Sequence, residues 1–273
     1  MTTFVAAPMQ HSEMHHFDMG IWLLALAFVV SVVGSIVGLA CTRRSATAVS
    51  DNERLMWLAI AATAIGGIAI WLMHFIAMLG FTVPGSVVRY DIGWTIASAI
   101  LSVVAVFVGL IVAGRTLHVG RLILAGVIMG LAVNLMHYTG MRALRIQGDI
   151  GYSVGPVIAS IVVAVVAATA ALFFTFVLHS IAMRVVAGVV MGVAVVGMHY
   201  TGMAAVGVTV DSARPVPGGS EVFTFLFPVF VAGVIALAGA IGAVMLAPDR
   251  TTAALDAEAD LLAAEAGRSV VRA

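Results

Sequence analysis

The sequence predicts an all-α integral membrane protein, folded as a bundle of seven transmembrane helices. Of its 273 residues, 62% are hydrophobic and 10% are charged, whereas soluble domains are about 45–50% apolar and about 25% charged. A membrane-spanning helix needs roughly 20 mostly apolar residues. Seven stretches meet that length, at about 17–41, 55–81, 92–114, 122–141, 156–178, 185–206 and 224–247.

Composition also excludes several classes of protein. The 13 basic and 13 acidic residues give no net charge, so we expect no nucleic-acid partner. Cys41 is the only cysteine, which excludes a disulfide scaffold and a thiolate metal site. Neither a nucleophile–base arrangement, nor a phosphate-binding glycine loop, nor an H-E-x-x-H pattern is found, so we expect no enzymatic activity.

The arginines predict the orientation, because cytoplasmic loops are enriched in basic residues. With the N-terminus outside and the C-terminus in the cytoplasm, nine arginines fall on the inner side and four on the outer side. We therefore expect an extracytoplasmic tail at 1–16, a membrane domain at 17–247 and a cytoplasmic tail at 248–273. The inner arginines are Arg43, Arg44, Arg54, Arg115, Arg121, Arg184, Arg250, Arg268 and Arg272; the outer ones are Arg89, Arg142, Arg145 and Arg214.

One short motif occurs three times, centred on His74, His137 and His199. These histidines are 63 and 62 residues apart, so each repeat is one helical hairpin. The copies lie in spans two, four and six, which all cross the membrane in the same direction. We therefore expect the three imidazoles at similar depth, near the outer face.

Helical spacing predicts which way the motif faces. Residues four apart share one side of a helix, so His137 and Met141 share a stripe that Gly130 and Gly126 continue. Small residues at this spacing allow close helix packing in membranes, so we expect the stripe to face inward. The other two spans continue their stripes with Gly192 and Gly188, and with Gly67 and Thr63.

Three inward stripes would bring imidazoles and thioethers to one interior site. Together these groups suit copper, particularly Cu(I), better than oxygen-preferring ions. Haem is a less favoured alternative, since His and Met are both axial ligands. The candidate ligands are His74, His137 and His199, with Met73, Met78, Met136, Met141, Met198 and Met203.

Two further groups of residues extend the predicted site. Imidazole ligands are normally held by hydrogen bonds from outside the metal shell, and we expect these from Asn134, Thr139, Thr201, Tyr138 and Tyr200. The N-terminal tail is also rich in His and Met, and we interpret it as an accessory metal-capture arm. Its residues for that role are Met9, His11, Met14, His15 and His16.

The motif resembles that of the MHYT domain, a seven-helix membrane sensor module of bacteria. Met136-His137-Tyr138-Thr139 and the equivalent residues 198–201 match the signature, and the first copy departs from it with Phe75 and Ile76. The resemblance implies a bacterial inner-membrane location, copper bound by the motif His and Met residues, and oxygen, CO or NO as the signal. Many members continue into cytoplasmic signalling enzymes; we expect a stand-alone form here, acting through a separate partner protein.

Four functions remain open from the sequence. The first is a copper-binding sensor of a diatomic gas or of redox state. The second is a copper-handling or transport protein, which is less favoured because only glycines and aliphatic residues lie below His137 on its stripe. The third is a haem-bearing electron-transfer protein, and the fourth is a structural membrane protein without a ligand.

Overall fold

The computed structural model describes residues 15, 18–177 and 180–246. Seven helices in it are long and apolar enough to cross a membrane, which confirms the predicted spans. The second span is one continuous helix in three parts: α2, a π-helical segment and α3. The helices are α1 (Trp22–Ala46), α2 (Asp51–Ala62), the π segment (Thr63–Leu72), α3 (Met73–Met78), α4 (Ile92–Ala113), α5 (Val119–Arg142), α6 (Val154–Val177), α7 (Ile181–Met203) and α8 (Val222–Leu246).

Side-chain caps fix where three of the spans begin. Ser50 accepts a hydrogen bond from the Glu53 N–H at the start of α2, and Asp91 does the same for the Trp94 N–H in α4. Ser180 caps α7 in the same way. Such caps satisfy backbone N–H groups that have no partner within the helix.

Six of the spans form a closed ring of three hairpins. Along the chain each span packs against the next, from α1 through the second span to α7, and α7 packs back against α1. The seventh span, α8, lies outside this ring and packs against α1 and the π segment. Only 6% of its apolar window is buried, against 28–67% for the other six spans.

Glycines close this ring by joining each motif helix to the first helix of the next hairpin. A Cβ on Gly130 would lie 2.5 Å from the Val165 Cα of α6, and one on Gly192 would lie 2.6 Å from a Val32 methyl of α1. In the second span, Gly66 approaches the Ser102 carbonyl of α4 in the same way, at 2.7 Å. Close helix approach is therefore confirmed, but the glycine stripe faces a neighbouring helix and not the central axis.

The predicted stripe in the second span is wrong because that helix is not α-helical throughout. Its 10-residue π segment, Thr63–Leu72, winds with i→i+5 hydrogen bonds, so residues four apart no longer share a face. Thr63 is exposed, and Gly66 rather than Gly67 makes the close backbone contact. The π segment ends immediately before Met73 and His74.

Short strands cover the end of the bundle that carries the motifs, a feature that the all-α prediction did not include. They form two antiparallel pairs, β1 with β2 and β3 with β4, and a bridge joins Tyr90 to Ser220. Each pair joins the loop that follows one hairpin to the loop that follows the next hairpin. The three loops are therefore held together by backbone hydrogen bonds. The strands are β1 (Arg89–Tyr90), β2 (Leu144–Arg145), β3 (Gly148–Tyr152) and β4 (Val206–Val210); we call them the β cap.

We expect Gly130→Ala to destabilise the bundle. The added methyl would press on the α6 backbone, and overpacking of this kind typically costs about 1–3 kcal/mol. Gly120→Ala in the same helix is the matched control, because no described residue lies within 4 Å of its Cβ position. Thermal unfolding in detergent measures both variants; equal midpoints for the two would contradict the close contact between α5 and α6.

An ion pair in the β cap predicts a pH dependence. Arg214 donates to both carboxylate oxygens of Asp149, at 3.0 and 2.6 Å. These hydrogen bonds, and then the charge of Arg214, hold the pKa of Asp149 below its usual 3.8. The stabilisation is present above the unfolded-state pKa, and it is lost as the pH falls through the lowered folded-state pKa.

Asp149→Asn should therefore lower the unfolding midpoint at pH 7, and this difference from wild type should shrink toward zero below about pH 4. Asp18→Asn, at the same end of the bundle, serves as the control. The midpoints of the three proteins are compared from pH 7 to pH 3. A difference that persists unchanged at pH 3 would mean that the carboxylate charge is not its source.

Candidate metal centre

The three motif histidines meet on the central axis of the ring. Nδ1 of His74 lies 3.0 Å from Nδ1 of His199 and 3.2 Å from Nδ1 of His137. The ring centroids are 4.9–5.2 Å apart. Each side chain is at most 1% exposed. The convergence predicted from the 63- and 62-residue spacing is therefore present in the structure.

Small residues one turn beyond each histidine make room for the neighbouring ring. A Cβ on Gly140 would lie 2.7 Å from Nε2 of His74, and one on Gly202 would lie 2.5 Å from Nε2 of His137. The first copy has Ala77 at the equivalent position. His74 and His137 thus lean against the motif helix of the following repeat, with their Nδ1 atoms turned toward the other rings.

The hydrogen-bonding capacity of the rings is not satisfied by protein groups. Nδ1 of His74 faces two other Nδ1 atoms, but a neutral ring nitrogen carries either one proton or one lone pair. It can therefore complete only one of the two contacts. Within the described part of the chain, Nε2 of His74 and Nε2 of His137 are buried without any hydrogen-bond partner.

Three imidazole lone pairs at this spacing fit a metal ion. Each residue of the group offers a ring nitrogen within 4.8 Å of the others. Two nitrogens about 2.0 Å from one ion and 3.0–3.2 Å from each other subtend an angle of about 100° at that ion. This is near the tetrahedral value. An ion there would also replace the Nδ1 contact that hydrogen bonding within the group cannot complete.

All six predicted methionines are buried, with exposures of 0–2%, but their surroundings differ. Met198 lines an apolar cavity of about 40 Å³ between the π segment, α5, α6 and α7. Met141 lines a polar cleft under the β cap. The structure buries the whole proposed donor set; thioether coordination stays a prediction.

Three of the groups expected to hold the imidazoles hydrogen-bond to other residues. Asn134 donates to Ser160 Oγ at 2.9 Å, and the Tyr138 hydroxyl lies 3.2 Å from the same oxygen. Thr201 donates to the Gly197 carbonyl of its own helix. For the two rings with unpartnered Nε2 atoms, the expected hydrogen bonds are therefore not present among the described residues.

Sequence reasoning missed what the aromatic residue after each histidine does. Tyr138 and Tyr200 pack edge-on against the preceding imidazoles, with centroids 5.0 and 4.9 Å apart. Phe75 makes the same contact with His74 at 4.9 Å. The shared property is an aromatic ring, which explains why the first copy retains Phe where the others have Tyr.

Four of the five residues predicted for the N-terminal metal-capture arm lie outside the described residues, namely Met9, His11, Met14 and His16. The predicted tail at 248–273 also lies outside them. His15 is described: its backbone pairs with Thr82 beside the motif end, at 3.3 and 3.0 Å. Its side chain is exposed. A role of this arm in metal binding stays a prediction.

Comparison with known proteins gives matches to signalling proteins. The family model MHYT, described as the bacterial signalling protein N terminal repeat, matches residues 67–126 and 130–188. These two matches contain the first and second histidines, and their starts are separated by the same period as the motif. No solved structure matches the chain.

Three relatives illustrate the similarity. The Pseudomonas aeruginosa bifunctional diguanylate cyclase/cyclic di-GMP phosphodiesterase MucR is 40% identical over 189 residues, covering 67% of this chain and 27% of that protein. The cyclic di-GMP phosphodiesterase NbdA of the same organism is 32% identical over 71% of the chain and 25% of its own length. The Bacillus subtilis signaling protein YkoW is 32% identical over 81% of this chain and 28% of its own length.

The chain spans about a quarter of the length of these relatives. The similarity therefore concerns a membrane module that they share, not the whole of any of them. Seven apolar spans, the triplicated motif and the repeat matches agree with one another. The chain belongs to the MHYT family, a multi-pass membrane domain of bacterial signalling proteins.

Proposed function

We propose that this chain is a membrane sensor in which His74, His137 and His199 hold a copper ion. The observation that carries the proposal is the meeting of three buried Nδ1 atoms, two pairs of them 3.0 and 3.2 Å apart. Ionisable groups are costly inside a membrane and are usually functional there. A packing role alone would not require an imidazole in each of three repeats.

The donor chemistry favours copper over harder ions. Each motif histidine has one buried methionine directly before it and another four residues after it. Soft thioethers select Cu(I) over oxygen-preferring Mg²⁺ or Ca²⁺. Bound copper would supply an open coordination position for a diatomic ligand such as oxygen, CO or NO. The protein supplies the dry pocket, the ring positions and the close contact among the three helices.

The ring of hairpins offers a physical route for a signal. Because each motif helix packs its glycines on the next hairpin, a shift of one histidine must be accommodated by its neighbours. The same helices carry Arg54, Arg121 and Arg184 in their first turns, at the other end of the bundle. A ligand transmits a signal only if it prefers one helix arrangement over another, and we propose that a separate partner protein reads that arrangement.

We also propose that the motif end faces the extracytoplasmic side. Among the described residues, four arginines lie at the motif end and six at the opposite end. Basic residues concentrate on the cytoplasmic side of membrane proteins. The N-terminus would then be outside, and residues following α8 would be in the cytoplasm.

The alternative functions receive less support from the geometry. A transport path needs polar groups along the membrane, yet the cavity beneath the histidines is lined by aliphatic residues, alanines and methionines. The three imidazoles pack directly against one another, with centroids 4.9–5.2 Å apart, and so leave no space among them for a haem ring. We assign no enzymatic activity to this chain.

Metal analysis of the purified protein tests the proposal. After loading with Cu(I) under reducing conditions and removal of excess metal, we expect about one copper per wild-type chain, since the three rings form one site. The double variant His137→Ala, His199→Ala should retain almost none. His118→Ala, which changes an exposed histidine at the start of α5, is the matched control. Equal copper in the double variant and wild type would exclude this site.

A second variant tests the ring positions without removing a ligand. Gly202→Ala would place a methyl 2.5 Å from Nε2 of His137 and should displace that ring. Changes just outside a metal shell typically cost 10–100-fold in affinity, so we expect at least a tenfold weaker Cu(I) competition constant. Gly197→Ala, in the same helix with nothing near its Cβ position, should match wild type. Unchanged affinity in Gly202→Ala would mean that this ring does not bind the ion.

A further inference from the structure

A polar cleft lies under the β cap, beside the second motif. Its volume is about 910 Å³, within the range of small-molecule sites. Arg142, Arg145 and Arg214 contribute charge to its lining, together with Asp91 and Asp149. The cleft is separate from the three imidazoles, and neither the repeat family nor the relatives' names assign it a role.

Two of the three arginines are already neutralised. Arg145 pairs with Asp91 at 2.9 Å. Arg214 pairs with Asp149 at 2.6 Å, and Asp211 approaches it at 3.4 Å from beyond the lining. Asp91 is ionised near neutral pH, and a hydrogen bond from the Trp94 N–H, and then one from Arg145, lower its pKa further.

Arg142 is different. Its guanidinium lies 4.6 Å from the centre of the Trp94 ring, and no carboxylate within the described part of the chain pairs with it. The contact with the indole ring positions the exposed guanidinium, and no hydrogen bond joins its N–H groups to the residues that the structure describes. A guanidinium held in this way binds a carboxylate through two parallel hydrogen bonds.

The remaining walls favour an organic molecule over a bare inorganic anion. Pro215, Pro217 and Ile150 provide apolar surface in the lining. Tyr138 and Tyr152 also line the cleft and contact each other edge-on, with centroids 5.3 Å apart. The Tyr152 phenol is a neutral hydrogen-bond donor at neutral pH, and burial, then the nearby Tyr138, raise its pKa further.

We propose that this cleft binds a small organic monocarboxylate, with the carboxylate on Arg142 and the apolar body against Pro215, Pro217 and the tyrosine rings. Tyr138 also packs on the ring of His137, with centroids 5.0 Å apart, and Met141 lines the cleft. An occupied cleft thus contacts Tyr138 and Met141, which belong to the same motif as His137. The site itself does not depend on the proposed copper centre.

Calorimetric titration of the detergent-purified chain with benzoate tests the proposal. We expect saturable binding of benzoate, and binding of its neutral analogue benzamide and of inorganic phosphate that is at least tenfold weaker. Arg142→Gln should weaken benzoate binding at least tenfold. Arg89→Gln should stay within twofold of wild type, since Arg89 lies at the same end, pairs with Glu221 and is outside the cleft lining.

Two further proteins complete the test. Arg142→Lys keeps a cation beside Trp94 but removes the forked donors, so it should lose most of the benzoate affinity even if Arg142→Gln folds poorly. The variant His137→Ala, His199→Ala should still bind benzoate, which separates this site from the metal proposal. Absent benzoate binding, equal binding of benzamide or phosphate, or equal losses in the Arg142 and Arg89 variants would overturn the assignment.

Discussion

Three imidazole nitrogens crowd together in an apolar, membrane-embedded core, and the rest of the structure is organised around that constraint. Nδ1 of His74 cannot hydrogen-bond to both of its neighbours, and two Nε2 atoms are buried with no partner among the described residues. Unsatisfied buried polar groups cost about 1–3 kcal/mol each, and water cannot relieve that cost inside a bilayer. A cation shared by the three Nδ1 atoms would turn this unfavourable cluster into a ligand set.

The repeat produces this cluster through symmetry. Three similar hairpins closed into a ring place equivalent residues of spans two, four and six around one axis. The close glycine contacts lie between neighbouring hairpins, while the histidines lie on the axis. The β cap then connects the loops of all three hairpins above the imidazoles, so the repeats are joined both within the bundle and at its end.

The spans and the meeting of the histidines could be predicted from the sequence, because both follow from hydropathy and from the spacing of a motif. The glycine contacts could not be assigned, since spacing along one helix does not say which neighbour faces it. The prediction that Gly67 and Thr63 share a stripe with His74 was wrong for a local reason, because the π segment changes the helical period just before His74. The strands of the β cap could not be predicted from the sequence, because strands of two to five residues are too short to show a pattern of alternating hydropathy. Asn134 and Tyr138 share Ser160, a partner 22–26 residues away that no motif marks.

The position of α8 decides where the polypeptide goes after the bundle. A ring of three hairpins has an even number of crossings and would return its last residue to the membrane surface from which it started. The additional crossing by α8 carries the chain to the other surface, where Val244 accepts a hydrogen bond from Arg44 at the end of α1. The end of α8 thereby lies at the membrane surface opposite the imidazoles, and this hydrogen bond ties it to the helix that closes the ring.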